Sequence, residues 1–149
     1  MTAAYVTDTQ DIQDFIPDLT LGASSTPTLT RVERFIARRE GQLNVALKRA
    51  GYDVPLTTAN DVAFCAQLVT QVVVFDTWTA AYGMSDIPTA IQEYWLDWNK
   101  ALKDIAEGGT YEFESSSALG ENDPAFGIAR FPTRDSIFTN RNDIPDWDE

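Results

Sequence analysis

The chain has 149 residues, about the length of one domain, and 44% of them are hydrophobic, an ordinary globular composition. It carries 11 basic and 23 acidic residues, a formal net charge of -12, and a chain this acidic repels the phosphates of nucleic acid. The absence of histidine and the single cysteine, Cys65, exclude an internal disulfide, a cysteine-built metal site and every Ser-His or Cys-His catalytic pair. We therefore expect a soluble helical domain that is not an enzyme and holds no cofactor.

Two capping boxes predict the first two helices. Thr7–Gln10 opens a short helix that carries Ile12, Phe15 and Ile16 and ends at Pro17. After a loop over residues 20–28, Thr30–Glu33 opens a longer helix with a stop at Gly51. Its apolar stripe has helical spacing: Val32, Phe35, Ile36, Leu43, Ala46, Leu47 and Ala50. Gly41 inside this helix costs up to about 1 kcal/mol relative to alanine, and close packing of another backbone is one explanation.

The third predicted helix is apolar on almost every side. Thr57 or Thr58 caps it, and Gly83 ends it. Its polar residues form a narrow strip: Asn60, Gln67, Thr70, Gln71 and Thr77. Such a helix is buried on most sides, so it is either central to the domain or faces another subunit. Its most apolar window, Val62–Phe75, is interrupted by polar residues and is too short to predict a membrane span.

Pro88 opens a fourth helix, which Gly108-Gly109 ends. Its buried stripe is predicted to be Ile91, Tyr94, Trp95, Trp98, Leu102 and Ile105. The three aromatics Tyr94, Trp95 and Trp98 resemble a ligand-binding box, but their spacing is that of a core stripe.

The pattern changes from residue 110 onward. Tyr111–Glu114 alternates with period two, which indicates a strand, and Phe126–Phe131 is a second short strand candidate. We expect a mainly α fold, with a four-helix domain over residues 1–109, a long central apolar helix, and an extended C-terminal arm over residues 110–149 with short β segments. The arm's predicted anchors for docking on a partner are Tyr111, Phe113, Phe126, Phe131, Ile137, Phe138 and Trp147.

Charge is segregated along the chain. Residues 28–51 are net basic, whereas the segments on either side are acidic. The basic helix is either simply solvated or meets acids of a neighbouring subunit, through Arg31, Arg34, Arg38 and Arg39. Asp76 falls on the apolar side of the third helix, and a buried carboxylate needs a partner. An arginine of the second helix, solvent at the helix end and a catalytic role are the three alternatives for it.

The remaining candidates have simpler interpretations. Cys65 lies among apolar residues and has no basic neighbour, which predicts a buried structural thiol. The carboxylates of Asp143–Glu149 lack the glycine and the alternation of a calcium loop, which favours a solvated acidic terminus over a metal site. Met1–Tyr5 has neither a basic nor an apolar stretch, so no signal peptide is predicted.

A family resemblance follows from the order of these segments. A short capped helix is followed by Arg31–Ile36, the connector Tyr52–Leu56, a long apolar helix, Tyr94-Trp95 with the Gly108-Gly109 stop, and Phe131–Ser136 in the arm. Over roughly residues 5–140 this pattern resembles the small head–tail connector, or adaptor, proteins of tailed bacteriophages, including the Mu-type head-completion proteins.

The resemblance implies a structural virion protein without enzymatic activity. Such proteins are made in the host bacterial cytoplasm and form a ring, commonly of twelve copies, beneath the portal at the head–tail junction. The ring extends the DNA channel and seats a stopper or tail-terminator protein. Its expected partners are other copies of itself, the portal and that protein, with genomic DNA passing through without specific binding and no membrane involved.

The alternative is a small acidic inhibitor that mimics DNA. The net charge of -12 and the small size favour it. It leaves the basic helix and the aromatic arm unexplained.

Overall fold

The computed structural model describes residues 4–6, 8–108 and 111–114. The chain divides into two units, Met1–Ala118 and Leu119–Glu149, and every described residue belongs to the first. This division falls later than the predicted boundary between residues 109 and 110. The described part of the chain is mainly α, with four helices and no strand: α1 (Gln10–Phe15), α2 (Leu29–Arg49), α3 (Ala59–Tyr82) and α4 (Thr89–Ala106).

The four helices match the predicted order. α1 begins later than its capping box predicts, and α2 begins earlier. The predicted cap Thr7 lies outside the described residues; Thr9 precedes α1, and the Asp8 carboxylate accepts a hydrogen bond from the amide of Gln10 at 2.8 Å. At α2 the cap is Thr28, not Thr30, and its hydroxyl accepts from the amide of Arg31 at 3.4 Å.

The predicted helix ends are confirmed. Gly51, Gly83 and Gly108 have φ angles of 92°, 84° and 69°, a left-handed conformation that L side chains rarely adopt. Each of these glycines comes directly after a helix or its capping residue, so α2, α3 and α4 end where the sequence predicts.

α3 is the central helix, since it packs against α1, α2 and α4. Val69, Val72 and Val73 are fully buried there. Thr70 and Thr77, predicted to lie on a polar strip, are buried as well, because the surrounding helices cover that side too. By its length and composition alone, α3 could cross a membrane. The core helix of a soluble protein meets the same two criteria, and half of the most apolar window of α3 is buried within the structure.

The other helices bury most of the residues in their predicted stripes, but five of these residues are only partly buried: Phe35, Ala50, Tyr94, Trp95 and Leu102. Ile12 and Ile16 lie in the core, but Phe15 of α1 is 48% exposed, and its ring makes a T-shaped contact with that of Tyr94. On α4, Trp98 is buried at 1% exposure, in line with a core stripe.

Candidate functional site

A buried ion pair joins α2 to α3. The guanidinium of Arg39 donates to both carboxylate oxygens of Asp76, from Nε at 2.7 Å and from Nη2 at 2.6 Å. Both side chains are less than a tenth exposed. The carbon at the centre of the guanidinium also lies 5.1 Å from the ring centroid of Trp95 and 5.9 Å from that of Trp98. Of the three alternatives for Asp76, the arginine of the second helix is confirmed.

This pair corrects one predicted interface residue. Arg39 points into its own chain, so it is not free to meet a neighbouring subunit as the sequence suggested. Arg38, its neighbour in α2, donates from Nη2 to Asp76 at 3.1 Å while its side chain stays 54% exposed. Arg38 therefore supports the buried pair from the surface and still presents charge to solvent.

The exposed arginines form one strip along α2, which we call the basic face: Arg31, Arg34, Arg38 and Arg49. At 100° per residue these positions fall within about 60° of one another, over a length of about 27 Å. Arg31 and Arg38 flank Phe35, with their guanidinium carbons 5.6 and 5.5 Å from its ring centroid. Among the described residues, Arg38 is the only member of the basic face in an ion pair.

An open groove of about 780 Å³ runs beside the basic face, between α2 and α4. Apolar groups from both helices line it, including Val45, which is 53% exposed, and Leu102. Arg38, Arg49 and Lys103 also line it. Gly41 lies in this lining, and a Cβ built there meets no heavy atom within 4 Å. The close approach of another backbone, one explanation for this glycine, does not occur among the residues that the structure describes.

The first residues of the predicted arm pack on the helical unit instead of remaining free for a partner. The ring centroid of Tyr111 lies 5.1 Å from that of Phe64, and Phe113 lies 5.2 Å from Tyr52. The amide of Glu114 donates to the buried carboxylate of Asp61 at 3.1 Å.

The strand predicted over Tyr111–Glu114 is wrong. Its period of two arises because Tyr111 and Phe113 turn toward the helices while Glu112 and Glu114 face solvent. The other predicted anchors and the second strand candidate lie outside the described residues: Phe126, Phe131, Ile137, Phe138, Trp147 and the segment Phe126–Phe131.

Sequence reasoning missed the role of Glu40. Its buried carboxylate accepts from three backbone amides, those of Ala4, Tyr5 and Val6, at 2.7 to 2.8 Å. This clamp fixes the N-terminal segment on α2. A signal was present, because Glu40 continues the helical spacing of Ile36 and Leu43 on the apolar side of α2.

Cys65 is fully buried, as predicted. Burial, and to a smaller extent the charge of Asp61, raises the pKa of its thiol from 9.0 to about 12, so it is protonated and unreactive near neutral pH. Within the described ranges, no group of three His, Cys, Asp or Glu side chains is placed to hold a metal ion.

No protein-family model, curated protein or solved structure matches the chain. What the surface can do therefore follows from its own chemistry. An arginine strip with an aromatic ring and an apolar groove beside it is suited to binding an acidic surface that carries an apolar anchor.

Proposed function

We propose that this chain is a structural head–tail adaptor of a tailed bacteriophage. It forms a ring, of twelve copies by the family resemblance, beneath the portal. The ring extends the DNA channel and seats the stopper or tail-terminator protein. The chain acts by association, not by catalysis, and its place is the neck of the virion.

The observation that carries this proposal is the exposed basic face of α2 in an otherwise acidic protein. Arg31, Arg34 and Arg49 are exposed and make no ion pair with a described residue, and Arg49 lines the apolar groove between α2 and α4. Arginine and exposed apolar side chains are typical of the centre of protein interfaces. Charges of opposite sign on one surface favour contacts between identical copies, and head-to-tail contacts close into rings when the rotation allows.

The acidic balance supports the channel role. A lumen lined with carboxylates repels duplex DNA, so the genome slides through without being retained. The purified protein is then expected to show no duplex binding at physiological salt. Micromolar binding that weakens as salt is raised would mean that the basic face meets DNA instead of protein.

The DNA-mimic alternative has one specific observation in its favour. Asp8, Asp11, Asp14 and Asp18 are all exposed, and no base precedes Arg31 in the chain. A mimic would act as a monomer on a DNA-handling enzyme, whereas an adaptor assembles with the portal.

Electron microscopy of the protein mixed with its portal tests the proposal. A ring of this chain seated on the portal is the expected result. A chain that never associates with the portal, and that binds a DNA-handling enzyme as a monomer, would overturn the adaptor assignment.

A further inference from the structure

The structure offers a partner for the basic face on the chain itself. We define the acidic α1 surface as the exposed carboxylates Asp8, Asp11, Asp14 and Asp18 together with Phe15. Asp14 and Phe15 lie three and four residues after Asp11, so the three side chains share one side of α1. Phe15 is 48% exposed, which places a large apolar ring among the carboxylates.

The two surfaces do not meet within one molecule. α1 packs against α3 and makes no backbone contact with α2, whereas the groove lies between α2 and α4. Neither ion pair within the described residues involves α1, since both are made by Asp76. Complementary surfaces on different elements of one chain can be paired between copies, and a head-to-tail contact of this kind closes into a ring when the rotation allows.

We propose that the basic face of α2 in one copy binds the acidic α1 surface of the next, with Phe15 entering the groove between α2 and α4. Val45 supplies the apolar contact, and Gly41 leaves room for the ring, because a Cβ there faces open space. This inference rests on the proposed function, since it names the contact through which copies of the adaptor associate.

A second acidic surface is the competing occupant. On α4, Glu93 and Asp97 flank Leu96, which is 63% exposed. Lys100 lies one turn further along the same side and partly cancels that charge. The acidic α1 surface carries no base, so it complements the arginine strip better.

Charge reversal with mixing separates these occupants. The first variant chain carries R34E and R49E, so that its α2 face and its α1 surface are both acidic. The second carries D11R and D14R, so that both surfaces are basic. Each variant alone therefore places like charges together at every head-to-tail contact. We expect each alone to associate at least about ten-fold more weakly than wild type. In an equimolar mixture, each contact between the two different variants pairs opposite charges. The mixture is therefore expected to restore association. Arg38 is left unchanged because it also contacts Asp76.

The measurement is sedimentation equilibrium of the full chain from micromolar to millimolar concentration, with circular dichroism confirming that each variant keeps its helices. The matched control chain carries E93R and D97R. A second pair of variants tests the anchor: F15A is expected to weaken association about ten-fold or more, and L96A to leave it unchanged.

Restoration by the D11R and D14R chain supports the pairing. Restoration by the E93R and D97R chain instead, unchanged association of the R34E and R49E chain, or a wild-type chain that stays monomeric at millimolar concentration would each overturn it. Electron microscopy with the portal tests the adaptor function separately. If a ring forms on the portal but the mixed charge-reversed chains do not associate, this pairing is refuted and the adaptor function is not.

Discussion

The buried Arg39–Asp76 pair joins α2 to α3. Both groups are out of water, and each satisfies the other through two short hydrogen bonds. Removing the carboxylate with Asp76→Ala leaves a buried guanidinium without a counter-charge. We expect the free energy of unfolding to fall by about 3–5 kcal/mol, measured by urea denaturation followed through tryptophan fluorescence.

Arg38→Ala is the matched control. Its side chain is 54% exposed, so its 3.1 Å contact with the same carboxylate is screened by solvent and is expected to contribute less than about 1 kcal/mol. Replacing both members of the buried pair, with Arg39→Met and Asp76→Leu, is expected to recover most of the loss. Equal costs for Asp76→Ala and Arg38→Ala would contradict the buried geometry.

The buried thiol of Cys65 makes stability depend on alkaline pH. The folded state raises its pKa from 9.0 to about 12, because burial and the nearby Asp61 disfavour the thiolate. Between these values the unfolded thiol ionises while the folded one stays protonated, so its contribution is full below pH 9 and is lost as pH rises toward 12. We expect urea midpoints to fall more steeply above pH 9 in wild type than in Cys65→Ala.

Tyr5 acts in the same direction, since burial raises the pKa of its phenol above 10.0. Its hydroxyl donates to Asn44 at 2.8 Å and accepts from the amide of Leu56 at 3.1 Å. Comparing the pH slopes of Cys65→Ala and Tyr5→Phe therefore separates the two groups. A wild-type slope matched by the Cys65→Ala slope would show that the thiol is not buried in the folded state.

At the level of single residues, the sequence predicts burial better than it predicts partners. The burial of the Cys65 thiol and the need of Asp76 for a partner both follow from their positions on apolar stripes. The choice of Arg39 over Arg38 does not, because adjacent helical residues differ by about 100° in direction and only the position of α3 decides which one turns inward. The position of Glu40 on the apolar side of α2 indicates burial, but its partners do not follow from the sequence, because they are backbone amides, which carry no sequence signature.

Among the four helices that the structure describes, only α2 has a glycine in its interior. Gly41 lies in a helical interior with nothing within 4 Å of an added Cβ. Gly41→Ala is therefore expected to raise the free energy of unfolding of the isolated chain by up to about 1 kcal/mol through helix propensity. Urea denaturation at low protein concentration measures this, and a destabilised variant would show that another part of the chain approaches Gly41.

Helix existence and helix ends were predictable because their causes are local. A glycine with positive φ ends a helix wherever the apolar spacing also stops, so the ends of α2, α3 and α4 agree with the sequence. The start of α2 was placed too late because Thr28 and Thr30 are both capable caps. The selection depends on where the loop leaves the core, which is a tertiary effect.

For the whole molecule, charge segregation along the chain predicted a basic face but not its extent. The structure removes Arg39 from that face and adds Arg49, because the helix turns the first inward and aligns the second with Arg31. The groove beside it could not be predicted, since it depends on the spacing between α2 and α4. Sequence analysis treats charge as a property of a segment, whereas binding depends on which side of the segment carries it.

The boundary between the helical unit and the arm gives a prediction about truncated chains. Removing residues 126–149 is expected to leave the cooperative unfolding of the helices intact, because the core cluster described for the four helices is built from residues that precede the cut. Ending the chain at residue 109 instead removes Tyr111 and Phe113 from their aromatic neighbours and leaves Asp61 without the amide of Glu114. This shorter chain is expected to lose about 2–4 kcal/mol of unfolding free energy, measured by urea denaturation.

The same two truncations separate folding from docking. If the aromatic anchors beyond residue 125 bind the portal or the tail, the chain that ends at residue 125 folds normally but no longer co-sediments with those partners. Each lost anchor removes on the order of 1–3 kcal/mol of binding free energy from apolar burial. A variant with Tyr111→Ala and Phe113→Ala in the full chain is the control, because it weakens the fold while keeping those anchors. It is expected to dock at wild-type affinity whenever it is folded. Docking retained by the truncated chain and lost by this control would place the partner-binding function on residues 111–114.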